Sequence, residues 1–263
     1  MILIDDFVML GKTVPEEDSQ GRVTVCSAGF SPQLRGLLRL YPLARYEAPG
    51  RWTMSTVRLE RNIKDQRAES WKLHGERDRA HHDYINRTAF ENIGPAIAPD
   101  RRPEMLRPFV IDWVDRNEIL DRHGRHISLA LVEPHEMQLE FEFNPGSPDS
   151  PQMALFDTWE EKTTGAKRFP WIPRIRFDDS QGRQPPMLRD WGVYERMRKE
   201  VDFAVWPESE RRRHLVEALH LDPTCSLLIG NFNRHRTEWL IISVLRGVRI
   251  AQPSLLDELA DAA

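Results

Sequence analysis

Over the first sixty residues, apolar positions alternate with polar ones or cluster in short runs of strand length. Phe7 to Val14, Val23 to Phe30 and Leu37 to Leu43 are separated by Pro, Gly, Asp and Ser clusters, which interrupt regular structure and favour turns. Arg51 to Leu59 adds a fourth run, in which Trp52, Met54, Thr56 and Arg58 share one face. Successive short strands predict a meander or small barrel. The pattern changes over Glu69 to Asn92, which is charged and free of proline, with Trp71, His74, Ala80, Tyr84 and Phe90 at loosely helical spacings. One or two helices are expected there, followed by a proline-marked connector from Ala96 to Pro108.

Strand signals resume at Ile127 to Val132. From Glu136 to Phe143 alternation is strict, with Met137, Leu139, Phe141 and Phe143 on one face and Glu136, Gln138, Glu140 and Glu142 on the other, which predicts a strand with an acidic outer face. Asn144 to Pro151 holds three prolines in eight residues and cannot continue helix or sheet. A boundary is therefore expected there, dividing a β-rich unit (1–150) from an α/β unit (152–250) that ends in an acidic tail (251–263). In the second unit, Trp171 to Phe177 reads as a strand and Ser180 to Pro186 as a turn. Trp191 to Ala204 and Glu208 to Leu221 read as helices, and Ser226 to Phe232 and Glu238 to Leu245 as strands. The last run is apolar nearly throughout, as a strand buried on both faces is. The expected fold class is α+β: an N-terminal β-rich, barrel-like domain with a helical insertion, followed by a smaller α/β domain.

Composition adds limits. With 263 residues, 40% of them hydrophobic and 30% charged, the chain can bury a core without disulfide or metal staples. Cys26 and Cys225 sit in apolar, β-branched stretches, so buried free thiols and a reducing, cytoplasmic setting are expected. The start, Met1-Ile2-Leu3-Ile4-Asp5-Asp6, lacks the basic region of a secretory leader. The longest apolar run, Trp239 to Leu245, falls far short of the ~20 residues of a membrane helix. Net charge is −4, yet 31 of the 37 cationic side chains are arginine, which fits a GC-rich coding sequence and also suits bidentate recognition of phosphate. Charge is segregated: Arg35 to Arg87 carries twelve Lys/Arg against seven Asp/Glu, and Glu133 to Glu161 carries eight acids and no Lys or Arg. Such a layout permits a basic face opposite an acidic one.

Candidate chemistry is sparse. Asp121-Arg122-His123-Gly124-Arg125-His126 reads first as a polar turn and second as half of a divalent-metal site that His81-His82-Asp83 would complete if the fold brought them together. Arg77 to His82 has the arginine-to-histidine spacing of helical ribonuclease domains, but between strand-like flanks. Asp157 to Lys162 holds the Glu-x-Lys of metal-dependent nucleases without the hydrophobic strands that would aim it. No phosphate-binding glycine loop, Gly-x-Ser-x-Gly elbow or Cys-x-x-Cys pair occurs. No catalytic set, metal or cofactor is assigned. Arg211, Arg212 and Arg213 lie in a helix whose apolar face is Leu215, Val216 and Leu219, and read as a solvated face or a phosphate contact. Arg234, His235 and Arg236, between the last two strands, are the strongest local candidates for phosphate, because a short basic loop reaches a backbone without hindrance. Trp52, Trp71, Trp159, Trp171 and Trp191 serve either packing or base stacking.

Several phrases resemble an uncharacterised family of prokaryotic proteins: Lys12-Thr13-Val14-Pro15, Cys26-Ser27-Ala28-Gly29, Leu38-Arg39-Leu40-Tyr41-Pro42, Arg67-Ala68-Glu69-Ser70, Arg189-Asp190-Trp191, and the hairpin from Gly230 to Trp239-Leu240-Ile241-Ile242. The resemblance implies a Cys/His metal-ribbon element just before the Asp-Trp; here that place holds Asp178 to Arg183 with no cysteine. It also implies accessory work beside other subunits in a prokaryotic defence (antiviral) or mobile-element system. The function expected from these readings is a nucleic-acid-associated accessory protein, with DNA or RNA and protein partners and no membrane. Two alternatives stand beside it: a metal-dependent nuclease or other hydrolase, and a protein-interaction subunit using the acidic strand Glu136 to Phe143.

Overall fold

The computed structural model describes residues 1–17, 23–43, 48–65, 67–74, 77–78, 85–86, 90–117, 127–134, 136–144, 169–177, 185–200, 205–219, 221, 224–232 and 235–247. The N-terminal strands are β1 (Ile2–Lys12), β2 (Glu16–Glu17), β3 (Val23–Ser31), β4 (Gly36–Leu43), β5 (Met54–Arg61), β6 (Ser70–Leu73), β7 (Arg77–Asp78), β8 (Ile85–Asn86) and β9 (Phe90–Glu91). Five of them run in the order β1-β3-β4-β6-β5, and β5 pairs back onto β1, closing a barrel. The β4–β6 pairing is parallel and the other four are antiparallel. β1 serves both sides of the closure: Ile2 to Val8 pairs with β5, and Val8 to Lys12 pairs with β3. Its register shifts between Ile4 and Phe7 and again between Met9 and Gly11, the irregularities that bend a strand around a small barrel.

Alternation sorts the side chains. Ile4, Phe7, Met9, Val25, Leu38, Leu40, Val57, Leu59 and Leu73 fill the interior. Gly29 faces Phe7 so closely that a Cβ there would lie 2.3 Å from the ring, which explains a glycine at the end of the Cys26-to-Gly29 phrase. The helices expected over Glu69 to Asn92 are not formed where that span is described: Ser70–Leu73 and Phe90–Glu91 are strands. Trp71 pairs with Leu40 and Arg61 to close the barrel, and this ladder outweighs the weak helical spacing. The helical insertion comes later. Arg102–Leu106 is a short helix between 3₁₀ turns at Pro99–Arg101 and Arg107–Phe109, within the expected connector, and each proline sits in a first turn where it has no helical hydrogen bond to lose.

The remaining strands are β10 (Leu129–Val132), β11 (Met137–Phe143), β12 (Trp171–Phe177), β13 (Ser226–Asn231) and β14 (Trp239–Leu245), with helices at Trp191–Lys199 and Glu208–Leu219. β10, β13 and β14 form an antiparallel sheet that lies between two cores. Leu129, Leu131, Leu228, Leu240 and Ile242 pack on Val8, Leu10, Ala28, Phe30 and Leu37 of the barrel's outer surface. On the other face, Leu227, Ile229, Trp239 and Ile241 pack against β11, β12 and both helices through Leu139, Ile175, Tyr194 and Leu215. Every residue of β14 is buried, as its apolar run predicts. Although β14 ends the ladder, its open edge is covered: Arg189 N donates to Ile241 O at 2.8 Å and Ile241 N to Met187 O at 2.9 Å. Gly11 allows β1 to meet β14, since a Cβ there would lie 2.5 Å from that of Ser243.

The class is α+β with a barrel in its N-terminal part, as predicted. Residues 145–168, which hold most of the expected linker, lie outside the described residues, as does the tail 251–263. Pairing nevertheless crosses that segment, β10 with β13 and β11 with β12, so a boundary at residue 150 would separate paired strands. Cys26 and Cys225 are free thiols, Cys225 fully buried. Among the described residues, no helix is long and apolar enough to cross a membrane.

Candidate nucleic-acid interface

Arginine dominates the polar chemistry, and most of it faces inward. On the outer face of β4, Arg39 is 4% exposed and donates to Ser128 O at 2.8 Å and to Cys26 Sγ at 3.2 Å. The Glu69 carboxylate accepts from Ser128 N at 2.8 Å and from its hydroxyl at 3.1 Å. Arg67 donates through Nε and Nη2 to Asp65, at 2.9 and 2.5 Å, and through Nη1 to Asn231 O at 2.7 Å. Ser70 Oγ completes the set at 2.7 Å from Asp65 Oδ2. Burial pushes the Asp65 carboxyl up, but hydrogen bonds from Arg67 and Ser70 outweigh it and hold the group below the usual carboxylate range.

A second hub is Asp190. It caps the helix Trp191–Lys199 by accepting from Gly192 N at 2.9 Å, and it also accepts from Arg51 Nη2 at 2.8 Å, Ser243 Oγ at 2.8 Å and Val244 N at 3.2 Å. The phrases around Arg39, Arg67 and Asp190 therefore join the barrel to the sheet that covers it. The guanidinium groups of Arg39 and Arg67 are buried and donate to acceptors of the chain itself, so they do not face a ligand.

The arginine run on the helix Glu208–Leu219 does not present three phosphate contacts. Arg211 is 4% exposed, its guanidinium 3.7 Å from the Trp171 ring centre, with Nη1 donating to Trp206 O. Burial lowers its pKa, partly opposed by Glu208. Helical spacing pairs Arg212 with Glu208 at 2.7 Å, and Arg213 with Glu210 at 2.7 Å and Glu217 at 3.5 Å. The acidic face of β11 is answered in the same way, Glu140 by Arg176 and Glu142 by Arg174, each at 2.6 Å. The tryptophans weighed between packing and base stacking are engaged in packing: Trp52 is buried beneath Arg102, Trp71 lies under Arg61, and Trp171 under Arg211. Trp159 lies outside the described residues.

The β13–β14 hairpin differs. Its ladder ends at the pair Asn231 and Trp239, and the chain then turns through Phe232, 37% exposed, to the exposed His235 and half-buried Arg236. His235 Nδ1 lies 3.7 Å from a Glu238 carboxylate oxygen. Arg234 lies outside the described residues. Beside the tip opens a cleft of about 360 Å³ whose walls include Trp113, Arg116, Arg174, Phe232, Glu238 and Trp239. Arg116 lies 4.1 Å over the Trp113 ring and donates to its carbonyl at 2.7 Å. Arg174 donates to Pro185 O at 2.6 Å, and Trp239 Nε1 to Asn117 Oδ1 at 3.1 Å. Sequence reasoning did not anticipate the cleft, because its walls come from segments near 113–116, 174, 185–187 and 232–240.

Among the described residues, no three His, Cys, Asp or Glu side chains are grouped to hold a metal. His81, His82, His123, His126 and the segment Asp157 to Lys162 lie outside those residues. Residues 5–92 match a family model described as a domain of unknown function (DUF8758), so the N-terminal part of the chain is similar to an uncharacterised family. Four of the phrases that carry the resemblance, from Lys12 to Ser70, fall within the match. No curated protein and no solved structure matches the chain.

Proposed function

We propose that this is a nucleic-acid-associated accessory protein that meets DNA or RNA at the tip of the β13–β14 hairpin and works beside partner subunits, in keeping with the prokaryotic defence or mobile-element setting that the family resemblance implies. The observation that carries the reading is the tip itself: His235 and Arg236 stand at the end of strands buried on both faces, next to a cleft lined by two further guanidinium groups. A rigid support lowers the ordering cost of a cationic loop that meets phosphate. The barrel adds a weaker argument. Its strand order is that of the oligonucleotide- and oligosaccharide-binding barrel, a five-stranded Greek key that commonly uses the outer face of its second and third strands. Those strands are β3 and β4 here, and that face lies beneath β10, β13 and β14, so any contact on this chain has to be made elsewhere. Fold by itself assigns no function.

The test is fluorescence anisotropy with labelled DNA and RNA at low and moderate salt. Changing Arg234 and Arg236 together to Glu should weaken binding across sequences and leave the melting temperature nearly intact. Changing both to Ala should flatten the slope of log affinity against log salt by about 0.9 for each duplex phosphate no longer neutralised, so about two units if each arginine holds one. No detectable binding by the wild type at low salt removes the reading. Unchanged affinity in both double variants removes the tip as its site.

A further inference from the structure

We infer that the cleft beside the hairpin tip receives one unpaired base, which makes single-stranded nucleic acid the preferred ligand. This rests on the nucleic-acid reading above and names its substrate class. The cleft, at about 360 Å³, falls near the lower end of the roughly 300–1,000 Å³ of small-ligand sites. It has room for a base and part of its sugar, and a paired duplex, whose bases are stacked inward, cannot offer one. Phe232 is a large apolar side chain exposed just beyond β13, where the chain turns toward the cationic tip. An exposed ring near a cationic side chain is what base stacking uses, and it accepts any base because every base has a π-face.

The charged walls are already ordered. Arg116, 6% exposed, and Arg174, paired with Glu142 at 2.6 Å, line the cleft together with Glu238, so its charge is close to balanced. Both guanidinium groups are already anchored, Arg116 on the Trp113 carbonyl and Arg174 on the Pro185 carbonyl, so little freedom is lost when phosphate or a base carbonyl approaches. Glu238, 65% exposed at its side chain, offers an acceptor for a ring N–H or exocyclic amino group. Trp113 and Trp239, each less than a tenth exposed, form the supporting floor rather than free platforms.

The experiment compares, on the full chain, a labelled single strand spanning one site, roughly 4–16 nucleotides, with a duplex of the same sequence and with a free mononucleotide as competitor. The single strand should bind roughly tenfold tighter than the duplex or more. Phe232→Leu should weaken single-strand binding by roughly 5- to 100-fold, the range for removing one base–aromatic stack, with the salt slope and duplex affinity unchanged. Phe232→Tyr, which keeps the ring, should bind as the wild type does. Three results overturn the inference: duplex bound as tightly as single strand, Phe232→Leu binding like the wild type, or the mononucleotide displacing the strand at equal concentration. If the Arg234→Glu/Arg236→Glu variant still loses binding in any of these cases, the reading of the tip survives. A wild type that binds neither strand nor duplex overturns that reading as well.

Discussion

The junction between barrel and sheet and the tip of the β13–β14 hairpin both use arginine, in opposite ways. At the junction, Arg39 and Arg67 are under a tenth exposed and end on backbone carbonyls, a carboxylate and a thiol of the chain itself. At the tip, Arg236 and His235 reach solvent beyond the last pair of a buried ladder. The helix run divides within three residues: Arg211 behaves like the junction, while Arg212 and Arg213 are surface cations answered by glutamates one turn away. The difference shows that arginine content does not measure ligand-binding charge. What decides is how deeply the fold buries each guanidinium.

The sharpest way to break this comparison is at the sheet that carries the tip. Ile241 is fully buried in the core on the far side from the barrel, so Ile241→Asp should leave no soluble, cooperatively melting protein, an outcome read from expression and thermal unfolding. Next is the junction. Arg67→Ala leaves Asp65 buried without its cation and should cost about 3–5 kcal/mol by urea denaturation, with partial recovery in Asp65→Asn/Arg67→Met, where neither charge remains. A loss below about 1 kcal/mol would place Arg67 with the tip rather than the junction.

Arg211→Ala should cost about 2–4 kcal/mol, since it removes a ring stack and a charged hydrogen bond to Trp206 O, while Arg212→Ala and Arg213→Ala leave the midpoint in place. Equal midpoints in all three would erase the division within the run. A smaller effect separates the regions by pH. Asp65 is held below its unfolded value, about 3.9, so it contributes stability that is fully present above that value and lost as pH falls through the lower folded one. Stability should therefore fall more steeply below about pH 4 in the wild type than in Asp65→Asn/Arg67→Met, measured by denaturation along a pH series. The smallest change is expected from a nick. Proteolysis within 145–168 should leave products that co-elute on size exclusion, because β10–β13 and β11–β12 pair across that segment.

The strands were legible because strong local patterns coincide with pairing. Leu38 and Leu40 alternate with Leu37 and Arg39, and β4 places the first two inside the barrel and the others outside. Ser70–Leu73 was misread as helical because nothing local in a charged stretch announces that Trp71 will pair with Leu40. The hairpin tip was legible as a basic loop between two apolar runs. Its cleft was not, since Trp113 and Arg174 meet Phe232 only through chain folding.

Sequence alone determined the α+β class, the positions of most strands and the depth of β14, since these follow from apolar spacing that any compact arrangement must bury. Only the tertiary structure decided that the outer face of β3 and β4 is covered by the chain's own sheet, and which arginines are buried against the chain's own acceptors. Apolar burial follows from side-chain type and period, whereas the burial of a guanidinium depends on acceptors such as Ser128 O and Asn231 O, brought to it from distant residues.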